Sequence, residues 1–232
     1  MELLFTNFKM SIQHNLNSIA SQLPEQVTLV AVSKTKPVSD LMEAYNAGQR
    51  IFGENKIQEM ADKYQEMPKD IKWHMIGHVQ TNKVKYMAEF VDLIHGVDSF
   101  KLLKEINKQA KKHDRVINCL LQIKIADELS KFGMTSDEAA TILQSDAFSQ
   151  LQHVCVTGIM GMATFTDNNT QIKDEFSELK NSFDHLKQFQ NTNSQLQTIS
   201  MGMSGDYKLA ITCGSTMVRV GSRIFGARNY SI

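Results

Sequence analysis

The 232-residue chain balances 25 Lys+Arg against 25 Asp+Glu, with 42% hydrophobic and 22% charged residues. These are the proportions of a globular protein long enough to bury a real core, and zero formal net charge gives no electrostatic argument for nucleic acid or a membrane surface as partner. No apolar run reaches the ~18–20 residues of a membrane span, MELLFTNFKM lacks a signal-peptide pattern, and Cys119, Cys155 and Cys213 are scattered without CxxC, so a soluble cytoplasmic protein with reduced thiols is expected.

Phe8, Ile12, Leu16, Ile19 and Leu23 are spaced by four, four, three and four, which predicts a helix within 3–23. After Pro24 the period changes. The short apolar run Val27–Val32 reads as a strand buried on both faces. Further strands are predicted at 50–52, 72–76, 91–95, 116–123, 153–159, 196–200 and 217–220. Between them the predicted helices are 39–47, 55–66, 81–89, 99–112, 136–144, 171–190 and a short one near 206–212. Thr135 and Glu138 have capping-box spacing, Ser99 precedes the stripe Phe100, Leu103, Ile106, Ala110, and Gly48 stands where a left-handed C-terminal residue is wanted.

Strand–helix alternation implies a parallel sheet with right-handed crossovers. Eight repeats in this length suit a single (β/α)₈ TIM barrel with an extra N-terminal helix, one domain over 1–232. An open doubly wound sheet would want a Gly-rich first turn, and Val32-Ser33-Lys34-Thr35-Lys36-Pro37 has no glycine.

In such a barrel the chemistry belongs at the C-terminal strand ends. The first strand ends in two lysines, Lys34 and Lys36. The second ends in Gly53-Glu54-Asn55, the third in Gly77-His78. After strand seven comes Met201-Gly202-Met203-Ser204-Gly205, and after strand eight Gly221-Ser222. Glycines, hydroxyls and free backbone N–H groups at these last two ends suit a phosphate. A strand-end lysine across the mouth suits a carbonyl, through a Schiff base. Together they suggest a phosphorylated carbonyl compound, either a sugar phosphate, as in a Schiff-base aldolase, or pyridoxal 5′-phosphate (PLP). Arg219 sits two residues before Gly221, where it could meet a ring nitrogen or form a surface salt bridge.

AVSKTKP (31–37), IFGENKIQE (51–59), WHMIGHVQTNK (73–83), KFGM (131–134), GIMGMATF (158–165), MGMSGDY (201–207) and GSTMVRVGSRIFGARNY (214–230) occur in order over nearly the whole chain. This set resembles the YggS/PROSC family of pyridoxal phosphate homeostasis proteins, which is similar to the N-terminal barrel of alanine racemase and to the fold-type III PLP enzymes. The resemblance implies that Lys34 carries PLP as an aldimine, that Ser204, Gly221 and Ser222 hold its phosphate, that Arg219 faces the pyridine nitrogen, and that Asn55 and His78 line the mouth. It also implies a role in buffering or delivering PLP, with apo PLP-dependent enzymes as recipients; because no interface stripe stands out in the sequence, a monomer is expected. A PLP-dependent racemase or decarboxylase is the alternative; racemases of this fold use a second domain and a partner's tyrosine, for which this chain has no room after its last strand, and Tyr230 is terminal.

Other groupings point to packing. His74 and His78 are four apart but on a strand end, so they do not form a metal pair as on a helix, and His74 is expected to be packed with a hydrogen bond. Lys101, Lys104, Lys108, Lys111 and Lys112 read as the solvated face of a helix. Met160, Met162, Met201 and Met203 are expected at the barrel mouth.

Overall fold

The computed structural model describes residues 11–126 and 132–227. Eight parallel strands follow one another around a closed barrel: β1 (Thr28–Val32), β2 (Ile51–Glu54), β3 (Lys72–Met75), β4 (Val91–Val97), β5 (Ile117–Gln122), β6 (Val154–Met160), β7 (Ser194–Ser200) and β8 (Met217–Val220). Thr28, Leu29, Val30 and Ala31 pair with Met217, Val218, Arg219 and Val220, which joins β1 to β8 and closes the ring. Closure leaves no exposed strand edge.

The helices follow the apolar periodicity. They are α1 (Ile12–Ala20), α2 (Val38–Asn46), α3 (Ile57–Glu66), α4 (Phe100–Lys112), α5 (Ser136–Gln144), α6 (Asp146–Ser149), α7 (Asn169–Leu186), α8 (Tyr207–Thr212) and α9 (Ser222–Phe225). Both halves of the Thr135–Glu138 capping box form, and the Ser99 side chain accepts from the Leu102 N–H. Gly48, at φ +102, ends the α2 turn as expected. The five lysines of α4 are exposed, opposite its buried stripe of Leu102, Leu103 and Ile106.

One predicted element differs in kind. The segment 81–89 is a 3₁₀ helix over Thr81–Tyr86, ending in turns in which Met87 and Ala88 N–H both donate to the Val84 carbonyl. The connection must deliver the chain to β4 at Val91, and the tighter helix does so in fewer residues per turn. Two short helices, α6 and α9, went unpredicted because four residues carry no readable period. Residues 3–10 of the predicted N-terminal helix, Lys131 of KFGM, and Tyr230 lie outside the described residues.

Two apolar layers hold the barrel. Outside it, the large layer between strands and helices includes Phe52, Trp73, Ile94, Phe148 and Phe176. Inside, a smaller cluster of Val30, Leu93, Leu120, Met160 and Met217 fills the lower barrel. A side chain at Gly158 would place its Cβ 1.9 Å from the Thr198 carbonyl, so only glycine lets β6 and β7 approach as they do. Beside the inner cluster the strands also carry buried polar side chains, paired in register with it: His74 with Leu93, Arg219 with Val30, and Ser200 and Gln122 with Met160. His74, His95, Gln122, Ser200 and Arg219 are all buried on strands of the barrel.

Candidate functional site

A cavity of about 700 Å³ opens at the C-terminal ends of the strands. The residues that the resemblance assigned to the cofactor all line it: Lys34 after β1, Asn55 after β2, His78 after β3, Ser204 after β7, Arg219 on β8, and Gly221 with Ser222 at the start of α9.

The two lysines separate. Lys34 lines the cavity, whereas Lys36 Nζ donates to the carbonyls of Phe225, 2.9 Å away, and Ala227, 3.1 Å away, at the end of α9. Between them Thr35 takes φ +64, a left-handed conformation that costs a threonine roughly 1–2 kcal/mol. Its N–H donates to Glu59 Oε1 at 2.5 Å, so α3 holds the turn. The same carboxylate oxygen accepts from Lys63 Nζ at 2.7 Å, and Lys63 also donates to the Ser33 carbonyl and to Glu54 Oε1. A buried polar cluster on the outer face of the barrel thus sets the turn that presents Lys34.

The end formed by β7 and β8 is built from small groups. The Gly221 N–H donates to Ser204 Oγ at 3.1 Å, and Arg223 Nε donates to the Ser204 carbonyl at 2.5 Å. The Met203 N–H donates to Asp206 Oδ1, which ties the loop to the start of α8. Ser204 and Ser222 bring two hydroxyls to the wall, and the first N–H groups of a helix have no intrahelical acceptor.

Arg219 forms no surface salt bridge. It is 4% exposed, its Nη1 donates to the Ser200 carbonyl (2.8 Å) and Ser200 Oγ (2.6 Å), and its Nη2 donates to the Gly161 carbonyl (3.1 Å). Burial lowers its pKa to about 10, with Asp206 working against the shift, which leaves the guanidinium charged at neutral pH. On the opposite wall, His78 Nδ1 lies 3.3 Å from Asp98 Oδ2, and its ring stacks on Phe132 with centroids 4.3 Å apart. Asn55 Oδ1 is buried without a hydrogen-bond partner. A carbonyl oxygen left so on a cavity wall is the kind of group a bound hydroxyl or N–H would satisfy.

His74 is packed as expected, its Nδ1 3.0 Å from His95 Nε2. Among the described residues no cluster of His, Cys, Asp and Glu could hold a metal ion, and no helix is long and apolar enough to cross a membrane. Of the four methionines expected at the mouth, Met162 and Met203 line the cavity. Met160 lies one rung deeper, in the inner cluster, and Met201 falls on the opposite face, in the outer layer. Sequence reasoning missed Gln122, which donates to the Phe132 carbonyl, and the wall formed by Thr164 and Phe165. It also missed His95 and Ser200 behind Arg219. A usable signal existed, since polar residues interrupting apolar strands such as VDLIHGV stand out.

The family model described as "Alanine racemase, N-terminal domain" matches residues 9–229. The pyridoxal phosphate homeostasis protein of Haemophilus influenzae is 41% identical over 235 residues, covering 96% of this chain and 98% of its own. Among solved structures, PipY of Synechococcus elongatus without PLP is similar with a TM-score of 0.87 and 37% identity, over 93% of this chain and 100% of PipY. PipY with PLP bound gives a TM-score of 0.84 at 36% identity, over the same shares. Sequence and fold agree over nearly the full length of both chains, and the protein belongs to the YggS/PROSC family of pyridoxal phosphate homeostasis proteins, built on the alanine racemase N-terminal domain.

Proposed function

We propose that the cavity holds PLP through Lys34 and that the protein takes part in PLP homeostasis by storing and delivering the cofactor. One observation carries this reading. An amine from β1, hydroxyls from the β7 and β8 loops and a guanidinium from β8 converge on one cavity of about 700 Å³. The names of the relatives and the PLP-bound PipY structure support it.

The donor set fits the cofactor. PLP supplies an aldehyde, a phosphate and an electron-withdrawing ring. Lys34 supplies the amine for the aldehyde, held by a turn clamped from α3. Ser204, Gly221 and Ser222 take the phosphate with hydroxyl and backbone donors. Arg219 presents a permanent cation, which disfavours a proton on a ring nitrogen beside it because like charges repel. Asn55 Oδ1 gains the partner it otherwise lacks.

Holding the cofactor is favoured over turnover. An unprotonated ring is a weak electron sink, so racemisation or decarboxylation needs a well-placed acid–base group. His78, held by Asp98, and Asp206, which accepts the Met203 N–H, are acid–base candidates on the wall, and the exchange experiment below decides whether either acts on a bound amino acid. Release of PLP would serve apo PLP-dependent enzymes, with the protein acting as a monomer in the cytoplasm.

The test is direct. Purified protein incubated with PLP is treated with borohydride and digested, and the pyridoxyl group is located by mass spectrometry. It is expected on Lys34; a label only at other lysines overturns the anchor. Incubation with amino acids in deuterated water reads Cα exchange. Turnover-level exchange would replace the storage reading with the racemase or decarboxylase alternative.

A further inference from the structure

A chain of hydrogen-bonding groups runs from Arg219 through the barrel interior to its far side. Arg219 Nη1 lies 2.6 Å from Ser200 Oγ, Ser200 Oγ 3.0 Å from His95 Nδ1, His95 Nε2 3.0 Å from His74 Nδ1, and His74 Nε2 3.5 Å from Asp92 Oδ2. Ser200, His95 and His74 are buried, whereas the Asp92 side chain is 41% exposed. Asp92 reaches His74 because β4 carries an extra residue there: Trp73 pairs with Val91 but His74 pairs with Leu93. Such a bulge re-aims the side chain it contains.

The direction of this chain is determined at both ends. A guanidinium can only donate, and an ionised carboxylate can only accept. Ser200 therefore accepts from Arg219 and donates to His95 Nδ1. His95 then carries its proton on Nε2 and donates to His74 Nδ1, and His74 carries its proton on Nε2 and donates to Asp92. Each imidazole is neutral and uses both nitrogens, in agreement with burial holding both histidines below the ordinary range. A proton added to His95 Nδ1 would turn the Ser200 O–H away from His95 and would stand near the Arg219 cation.

We propose that Asp92, His74, His95 and Ser200 form a one-way hydrogen-bond relay that positions the Arg219 guanidinium at the cavity wall and so sets how firmly the cofactor is held. The four are positioning residues, since none of them lines the cavity among the described residues. The relay is geometric, while its effect on the cofactor rests on PLP occupying the cavity. Asp92 anchors the far end with the only negative charge in the chain, and it polarises every donor toward itself.

The experiment has two parts. In ¹⁵N-histidine-labelled protein at neutral pH, His74 and His95 are both expected as neutral Nε2–H tautomers, and Asp92→Asn is expected to move the ring shifts of His95 as well as those of His74. An imidazolium or an Nδ1–H tautomer at either position overturns the relay. In the second part, PLP dissociation and the absorption maximum of the bound cofactor are compared in wild type, Ser200→Ala, Ser200→Thr and Asp92→Asn. Ser200→Ala is expected to speed PLP loss about tenfold and shift the maximum, as for one lost charge-assisted hydrogen bond. Ser200→Thr, which keeps the hydroxyl, restores both, and Asp92→Asn gives a smaller loss. Wild type labelled at Lys34, with the same dissociation and spectrum in Ser200→Ala, overturns the inference alone. Wild type that takes up no PLP overturns the cofactor reading and with it the effect on retention, while the tautomers still decide the relay.

Discussion

Lys63 Nζ lies 2.8 Å from Glu54 Oε1, and neither side chain reaches solvent by more than a tenth. Ser33 Oγ donates to the same Glu54 oxygen at 2.6 Å. The pair joins the ends of β1 and β2 to α3, directly behind the turn that carries Lys34. Burial raises the Glu54 pKa, while Lys63 and Ser33 draw it back down.

Removing one partner leaves the other charge buried. Lys63→Met is expected to cost about 3–5 kcal/mol in urea denaturation, because Glu54 keeps its desolvation without its cation. The double variant Lys63→Met with Glu54→Leu should recover most of that loss, since apolar replacement of both partners is often close to neutral. A double variant no more stable than the single one would show that the pair is needed for the fold itself.

The two lysines of the β1 turn should behave differently. Lys34→Ala is expected to abolish the borohydride-fixed label. Lys36→Ala should keep the label and lower stability by about 1.5–3 kcal/mol, through loss of charged hydrogen bonds to Phe225 and Ala227. Mass spectrometry and denaturant melts on both variants separate the roles, and loss of the label in Lys36→Ala would contradict the assignment.

Thr35→Pro should be more damaging than either. Proline fixes φ near −65° and removes the N–H that Glu59 accepts, and Thr35 needs φ +64. The expected result is weakened PLP labelling at Lys34 in a protein whose circular dichroism remains that of the barrel. Thr35→Gly fits the turn and should label normally.

At the end formed by β7 and β8, Ser204→Ala and Arg219→Ala are each expected to weaken PLP retention by roughly 1–3 kcal/mol, read as faster release on dilution. Arg219→Ala should be the larger because it also takes the Arg219 donor from the Gly161 carbonyl and from Ser200 Oγ, both buried behind the cavity. Equal retention in both variants would remove these residues from the site.

Acid should destabilise the fold through the buried histidines. His74 and His95 have folded pKa values below the unfolded ~6.5, chiefly from burial. Below that pH the unfolded chain binds protons that the folded chain does not. Their contribution is therefore complete above about pH 6.5 and is lost as pH falls, by up to about 1.4 kcal/mol per pH unit for each histidine. Asp92, lowered by its hydrogen bond to His74, acts in the same direction at lower pH. Glu54, raised by burial, acts the opposite way. Urea midpoints should drop between pH 7.5 and 5, with about half the slope in His95→Gln.

Much of this protein is legible in its sequence because the signals are local. Period-two and period-3.6 apolar patterns, the Thr135–Glu138 cap and the strand–helix alternation each involve neighbouring residues, and they were enough to predict an eight-stranded barrel. Strand ends then told which residue types gather at the mouth: Lys34, Ser204, Arg219 and Gly221 all line one cavity. The sequence predicts a helix over 81–89 but not its 3₁₀ form over Thr81–Tyr86, because nothing local distinguishes the two when the length is dictated by where β4 must begin.

What only the tertiary structure decided depends on contacts between distant residues. Alternation along β1 places Lys34 and Lys36 on the same side, yet they part because Thr35 turns left-handed, its N–H donating to Glu59, which lies 24 residues on. Arg219 could have ended a strand in solvent. Ring closure by β1 and β8 instead buries it against Ser200, and the bulge on β4 brings Asp92 to His74. Sequence determined which groups are available at the mouth. Closure of the barrel determined which of them face the cavity, because a side chain's direction at a strand end is set by the partners that hold the turn rather than by the strand's own period.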